Sequence, residues 1–217
     1  MPDFLMERRH FSACALALAG SGFIPAVAQA ASTGTIVVLG DSISAEYGLP
    51  RGSGWVALLE QRLAHVQPGW RVVNASISGD TTAGGRSRLA AVLAQHSPKV
   101  LVIELGANDA LRGLSLSATR ENLLAMTRMA QAQGASVLLL GMQMPPNYGP
   151  ALMKAFEQVF MDVAHQTRAQ RVPFLLKGIA DAPDPFVLFQ NDRIHPNIQA
   201  QAIMLDNVWP ELKKLLK

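Results

Sequence analysis

The sequence predicts one α/β domain in three layers, with helices on both faces of a five-stranded parallel sheet. Three observations predict it. Five apolar runs of strand length recur without polar alternation, as strands buried on both faces require. Amphipathic stretches of helical period separate them, and strand–helix alternation builds parallel sheets. The chain has 217 residues, 49% hydrophobic and 16% charged, enough for one sizeable core and too apolar for disorder.

In chain order, TIVVLG (35–40) is the first strand, followed by a helical pattern near 54–66. WRVVNAS (70–76) is the second strand, with a helix near 82–95. KVLVIELG (99–106) is the third, with a helix near 117–133, and ASVLLLG (135–141) the fourth, with a helix near 150–169. In that last helix Leu152, Phe156, Val159, Phe160 and Val163 form one apolar stripe. VPFLL (172–176) is the fifth strand, and the last helix is expected over 197–216. No internal repeat or low-complexity linker follows residue 31.

The first thirty residues read differently. Positive charge in ERRH, the apolar stretch FSACALALAGSGFIPAVA and the small residues AQA at Ala28 to Ala30 form a signal peptide. Gly20, Gly22 and Pro25 break the stretch too often for a stable membrane anchor. Arg8-Arg9 fits part of a twin-arginine signal, so both that route and the general secretory route stay open. The expected division is a leader over 1–30 and a domain over 31–217, exported to the periplasm or beyond. Cleavage removes Cys14, the only cysteine, so the mature domain has no disulfide and rests on its core. The net charge of +3 is small and dispersed, which argues against a nucleic-acid partner.

Ligands of open parallel sheets bind beyond the carboxyl ends of the strands. Gly40-Asp41-Ser42 follows the first strand, Ser78-Gly79-Asp80 the second and Gly106-Ala107-Asn108-Asp109 the third. Singly, Ser42 reads as a helix cap, Gly79 as a turn glycine and Asn108 as an Asx turn. If the strands are neighbours, the three converge on one crevice. Ser42 is then a nucleophile. Its own amide, an unobstructed Gly79 amide and the Asn108 side chain are oxyanion donors.

A serine nucleophile needs a base. His10 leaves with the leader, and His65 and His96 sit at helix ends among polar residues with no acid three positions before them. Asp162 and His165 fall opposite the apolar stripe, as a solvated pair of little energetic weight. Asp192 and His195 lie in QNDRIHPN, before the last helix, with Pro196 suited to a first helical turn. Asp192 there can fix one ring nitrogen while the other faces Ser42. On this pair alone, a cap at the helix start and a surface histidine explain the motif equally well.

Four blocks, GDSIS, SISGDTT, GAND and DRIHP, occur in order across nearly the whole mature chain. The chain resembles the SGNH, or GDSL-type, hydrolases on these blocks. NASISGDTT, LRG after GAND, PPNYG and IHPN resemble the bacterial thioesterase I/protease I/lysophospholipase L1 group and its arylesterase neighbours. The resemblance implies a flavodoxin-like fold and a carboxylic ester hydrolase without metal or organic cofactor. It makes Ser42 the nucleophile, His195 the base and Asp192 its partner. It assigns the oxyanion hole to the Ser42 amide, Gly79 and Asn108. Its implied substrates are small-molecule acyl esters and thioesters, with lysophospholipid in range.

Two positions depart from relatives: Glu46 stands at a frequent glycine, and Ala107 replaces a glycine beside Asn108. A carboxylate at Glu46 either disfavours anionic acyl donors or faces solvent. The acyl wall is expected from Met142, Met144 and Pro145 in GMQMPPNYG, by resemblance, and from Phe186 and Phe189 in PDPFVLF. Core packing accounts equally well for either methionine. Two rival readings are a carbohydrate O-deacetylase on the same scaffold and a periplasmic binding protein without chemistry. Glu104, inside the third apolar run, requires a partner that the sequence does not name.

Overall fold

Strand β1 (Gly34–Gly40) carries a run of β-branched and aliphatic residues and lies inside the sheet, between β2 (Trp70–Asn74) and β3 (Val100–Glu104). The computed structural model describes residues 34–216. The expected leader at 1–30, with His10 and Cys14, lies outside the described residues. β4 (Ser136–Leu140) and β5 (Gln170–Val172) complete a five-stranded sheet in the order β2-β1-β3-β4-β5, every pairing parallel. This is the flavodoxin-like order, whose switch point lies between β1 and β3.

Helices α1 (Trp55–Val66) and α6 (Ala200–Lys213) pack together as one layer. Helices α2 (Thr82–His96), α4 (Leu116–Ala132) and α5 (Pro150–Thr167) pack side by side as the other. A five-residue helix, α3 (Ala107–Leu111), begins where β3 ends. It is too short to leave a helical period in the sequence.

Burial follows position in the sheet. Every residue of β3 is buried, whereas β2, an edge strand, has only half-buried and exposed residues. The expectation that all five runs are covered on both faces therefore fails at β2. The fifth run also corrects: the strand is Gln170–Val172, not 172–176. Pro173 has no N–H to extend the ladder, and Leu175 and Leu176 bury themselves beyond it. On α5, Phe156, Val159, Phe160 and Val163 are buried but Leu152, in the first turn, is exposed. Asp162 accepts from Gln158 Nε2 at 2.8 Å and lies 3.9 Å from Arg120 Nε, while His165 is exposed at the end of the helix.

Candidate active site

Three strand ends and one distant loop build the site. β1 hands the chain to Asp41 and Ser42, with the Asp41 side chain turned back so that Oδ1 accepts the Ile43 amide at 3.0 Å. Backbone bonds from Ala75 to Val38 and from Ile77 to Gly40 carry the chain beyond β2 alongside β1, toward Gly79. Gly79 has φ +78°, the left-handed region that favours glycine. β3 ends at Glu104, and Asn108 lies in the first turn of α3.

The loop before α6 reaches the same end of the sheet. Its two arms meet at an antiparallel bridge between Phe189 and Pro196, with the Gln190 amide donating to His195 O at 2.8 Å. His195 thus sits on this hairpin, five residues before α6. The expectation of Pro196 in the first helical turn is corrected: Asn197 Oδ1 accepts the Gln199 amide at 2.9 Å before the helix starts at Ala200.

Ser42 and His195, 153 positions apart, meet at 2.9 Å between Oγ and Nε2. His195 Nδ1 lies 2.7 Å from Asp192 Oδ2. Asp192 Oδ1 accepts the Ile194 and His195 amides at 2.9 and 3.0 Å. Capping and ring orientation, alternatives in the sequence, are thus both present, one on each carboxylate oxygen. Burial raises the Asp192 carboxyl. The His195 amide and ring, the Ile194 amide and the His195 charge outweigh it and bring the group down to about 2. An anionic Asp192 holds the tautomer with hydrogen on Nδ1, leaving Nε2 free to accept from Ser42. The Tyr47 ring lies 4.4 Å from the His195 ring, tilted by 37°.

Among the described residues, the Ser42 and Gly79 amides donate no hydrogen bond within the chain. Asn108 Nδ2 donates one hydrogen to Asp41 Oδ2 at 2.9 Å, and its second hydrogen remains for a ligand. Arg112 donates to Gly79 O at 2.7 Å across the crevice. Asp109 anchors α3 from below, accepting the Thr82 amide at 2.9 Å and the Thr82 hydroxyl at 2.5 Å.

These distances join one strand end to the loop before α6. The profile of the GDSL-like Lipase/Acylhydrolase family matches residues 38–203. The chain belongs to this family. It is 50% identical over 202 residues to the esterase TesA of Pseudomonas aeruginosa, covering 93% of this chain and 99% of that protein. It is 36% identical over 188 residues to thioesterase 1/protease 1/lysophospholipase L1 of Escherichia coli K12, covering 87% and 88%. The crystal structure of TesA superposes with a TM-score of 0.80 at 52% identity, over 83% of this chain and 99% of that one. The fold and the enzyme class follow: this GDSL-like acylhydrolase is a serine esterase of the SGNH type.

Within this family member, Glu46 is turned to its own loop rather than left facing solvent. Its carboxylate accepts the Gly52 amide at 3.1 and 3.0 Å and the Gly54 amide at 2.7 Å, tying down the loop before α1. Its φ of +60° explains why glycine suits the position. Ala107 opens α3 and is half-buried against the core.

The acyl-wall residues divide. Met142 and Met144 are 4% and 5% exposed and belong to the core, while Pro145 is exposed. Core packing is therefore the better account of the two methionines. An open groove of about 710 Å³ flanks the Asp192 side of the site, lined by Tyr47, Gly48, Phe189, Gln190, Asn191, Asp192 and Asn197. Met142, Met144 and Pro145 do not line it. Phe186 is exposed under the Arg193 guanidinium, 4.8 Å from its centroid.

Sequence reasoning missed the buried neighbours of Ser42. Glu104 finds its partners at the end of β1, because Gly40 and Glu104 are opposite in the β1–β3 register. Ser44 Oγ donates to Glu104 Oε2 at 2.8 Å, and the Asp41 amide donates to the same oxygen at 3.3 Å. The available signal was an acid and a second serine in GDSIS, together with an acid inside an apolar strand. Burial raises the Glu104 carboxyl well above its ordinary range, and the Asp41 charge adds to it. Burial also raises Asp41, to about 6, against hydrogen bonds from Ile43, Asn108 and Glu104. Among the described residues no group of acidic, histidine and cysteine side chains is arranged to hold a metal, and no helix is long and apolar enough to cross a membrane.

Proposed function

We propose that the chain hydrolyses small acyl esters and thioesters through an acyl-enzyme on Ser42. The observation that carries the reading is the relay of 2.9 Å from Ser42 Oγ to His195 Nε2 and 2.7 Å from His195 Nδ1 to Asp192 Oδ2. As Ser42 Oγ attacks the carbonyl carbon, His195 Nε2 takes its proton, and Asp192 stabilises the imidazolium. The Ser42 and Gly79 amides and the second Asn108 Nδ2 hydrogen receive the oxyanion. His195 then protonates the leaving alcohol or thiol. Water, deprotonated by the same nitrogen, attacks the acyl-enzyme and releases the acid and Ser42.

The acyl side of the substrate is assigned to the crevice beside Gly79 and Asn108. Ile77, Leu111 and Leu114, next to these donors in sequence, are all exposed and offer apolar surface to a chain. Activity on both ester and thioester leaving groups is supported by the names of the two relatives, and lysophospholipid falls within the same reading. The leader pattern at 1–30 supports export before action.

The test is turnover of nitrophenyl esters of increasing chain length by the mature chain and by Ser42→Ala and His195→Ala. Either variant is expected to lose at least about 10³-fold in kcat with the fold intact. Undiminished turnover by a clean Ser42→Ala preparation overturns the mechanism. A sharp preference for acetyl over longer chains transfers the reading to an O-deacetylase. Failure of a fluorophosphonate to label Ser42 would favour a binding role.

A further inference from the structure

Glu104 is fully buried at the end of a central strand, and the mechanism above makes no use of it. Its surroundings determine where its hydrogen must be. Trp55 Nε1 donates to Ser44 Oγ at 3.1 Å, so Ser44 directs its own hydrogen onward to Glu104 Oε2. Oε2 also receives the Asp41 amide and is an acceptor on both counts. Oε1 meets no donor among the described residues. As a carboxylate oxygen at zero exposure, Oε1 would be an orphan acceptor and costly. As the hydroxyl of a carboxylic acid it needs only an acceptor, and Asp41 is the neighbouring acid: its amide binds Oε2 at 3.3 Å and its charge acts on Glu104. Asp41 itself is shaped as an anion: Oδ1 accepts the Ile43 amide and Oδ2 accepts Asn108 Nδ2.

We infer that Glu104 is a neutral acid donating its Oε1 hydrogen to the Asp41 carboxylate, and that this pair positions the Asn108 amide for the oxyanion. The inference rests on the role proposed above for Asn108. The pair holds one proton and one negative charge. Two charges would repel each other between side chains this deeply buried and would oppose the oxyanion forming nearby. No charge would leave the Asn108 amide with a weaker acceptor and freer rotation. The upward displacement of both carboxyls by burial, greater for Glu104, agrees with this distribution. The other charged or titratable groups facing the pair are His195, whose charge acts on Asp41, and Arg88 of α2, whose guanidinium reaches Gly40 O at 3.4 Å. Glu104 acts through Asp41 and Asn108 and touches no substrate, so it is a positioning residue.

Two measurements test this on the mature chain. The first is the infrared difference spectrum between the parent and Glu104→Gln at neutral pH. A protonated-carboxyl band in the parent that disappears in the variant is expected. Absence of that band from the parent, or its survival in the variant, overturns the inference. The second is a comparison of Glu104→Leu with Glu104→Gln. Leucine removes the donor to Asp41, and about 10²-fold is expected to be lost from kcat with KM little changed, the size of losing one oxyanion donor. Glutamine keeps a donor and an acceptor at the same length and is expected to restore most of that loss. Equal kcat in the leucine and glutamine variants overturns the positioning role. Should the leucine variant not fold, Glu104→Met, which also lacks the donor, is read without turnover by the Asn108 side-chain amide resonances: a displacement that Glu104→Gln does not show supports the positioning role, and resonances unchanged in both variants overturn it. The infrared result is independent of catalysis. An active Ser42→Ala enzyme would therefore defeat the mechanism while leaving the shared proton in place.

Discussion

Asp192 divides its carboxylate between two tasks on His195: Oδ1 accepts the histidine amide at 3.0 Å, and Oδ2 holds the ring nitrogen at 2.7 Å. The same side chain shapes the turn and sets the tautomer. Asp192→Asn keeps an oxygen for the turn amides but turns an amino group toward Nδ1, which favours the wrong tautomer. Its kcat is expected to fall on the order of 10³–10⁴-fold, with a modest loss of stability at neutral pH from the missing charge. Asp192→Ala loses the turn as well, so its unfolding midpoint should fall below that of the asparagine variant. Equal kcat for parent and Asp192→Asn would remove the tautomer argument.

Glu46 separates loop anchoring from backbone strain. Glu46→Ala keeps the left-handed φ and loses the amides of Gly52 and Gly54. Glu46→Gly loses the same bonds but gains a residue at ease there. Alanine is expected to destabilise by about 1 kcal/mol more than glycine, the cost of a left-handed backbone for a residue with a Cβ. Because the carboxylate faces the loop, both variants should keep the parent's ratio of activity on neutral and anionic acyl donors. A large gain on anionic donors would show that Glu46 acts on substrate after all. Thermal midpoints and two nitrophenyl substrates suffice.

Arg88 joins three parts of the Gly79 side of the crevice. It pairs with Asp80 at 2.8 Å, donates to Ala75 O, and reaches Gly40 O at 3.4 Å. Its side chain and that of Asp80 are only 20% and 12% exposed, so removing one partner strands a largely buried charge. Arg88→Met is expected to cost about 3 kcal/mol in denaturant unfolding. It should also lower kcat, because Asp80 follows the Gly79 amide directly. A stable variant with unchanged kcat would reduce Arg88 to surface decoration.

The central strands were legible because their apolar runs are uninterrupted, and the four short blocks indicated which strand ends to bring together. Ser42, Gly79, Asn108, Asp192 and His195 stand in those blocks, and the fold brings Ser42, His195 and Asp192 into one hydrogen-bonded chain. What escaped the sequence has physical causes. Pro173 lies inside an apolar run and ends the ladder that the run promises. Met142 and Met144 follow a strand end yet turn inward, and linear order carries no information on that choice. Glu104 needed a partner 60 positions away, across a strand pairing that only the register reveals.

Asp41 and Asp192 give opposite slopes to stability against pH. Burial holds the Asp41 carboxyl at about 6 in the folded chain, above its ordinary value of 3.8. Between these values the folded state binds more protons than the unfolded one, so this group's contribution is present at low pH and is lost as pH rises through about 6. Asp192 is the reverse. Burial opposes its ionisation, but the His195 and Ile194 contacts bring it to about 2, so its contribution is present above 3.8 and is lost as pH falls toward about 2. Urea midpoints of the parent should therefore hold or rise from neutral pH to about 5, then fall steeply below about 4. Asp41→Asn should reduce the rise to the part that Glu104, raised by the same burial, contributes, and keep the acid fall. Asp192→Asn should keep the rise and flatten the fall, with the flattening moderated because this carboxylate is partly screened by solvent. A midpoint for Asp41→Asn that tracks the parent across the whole range would show that burial does not raise the Asp41 carboxyl in the folded chain.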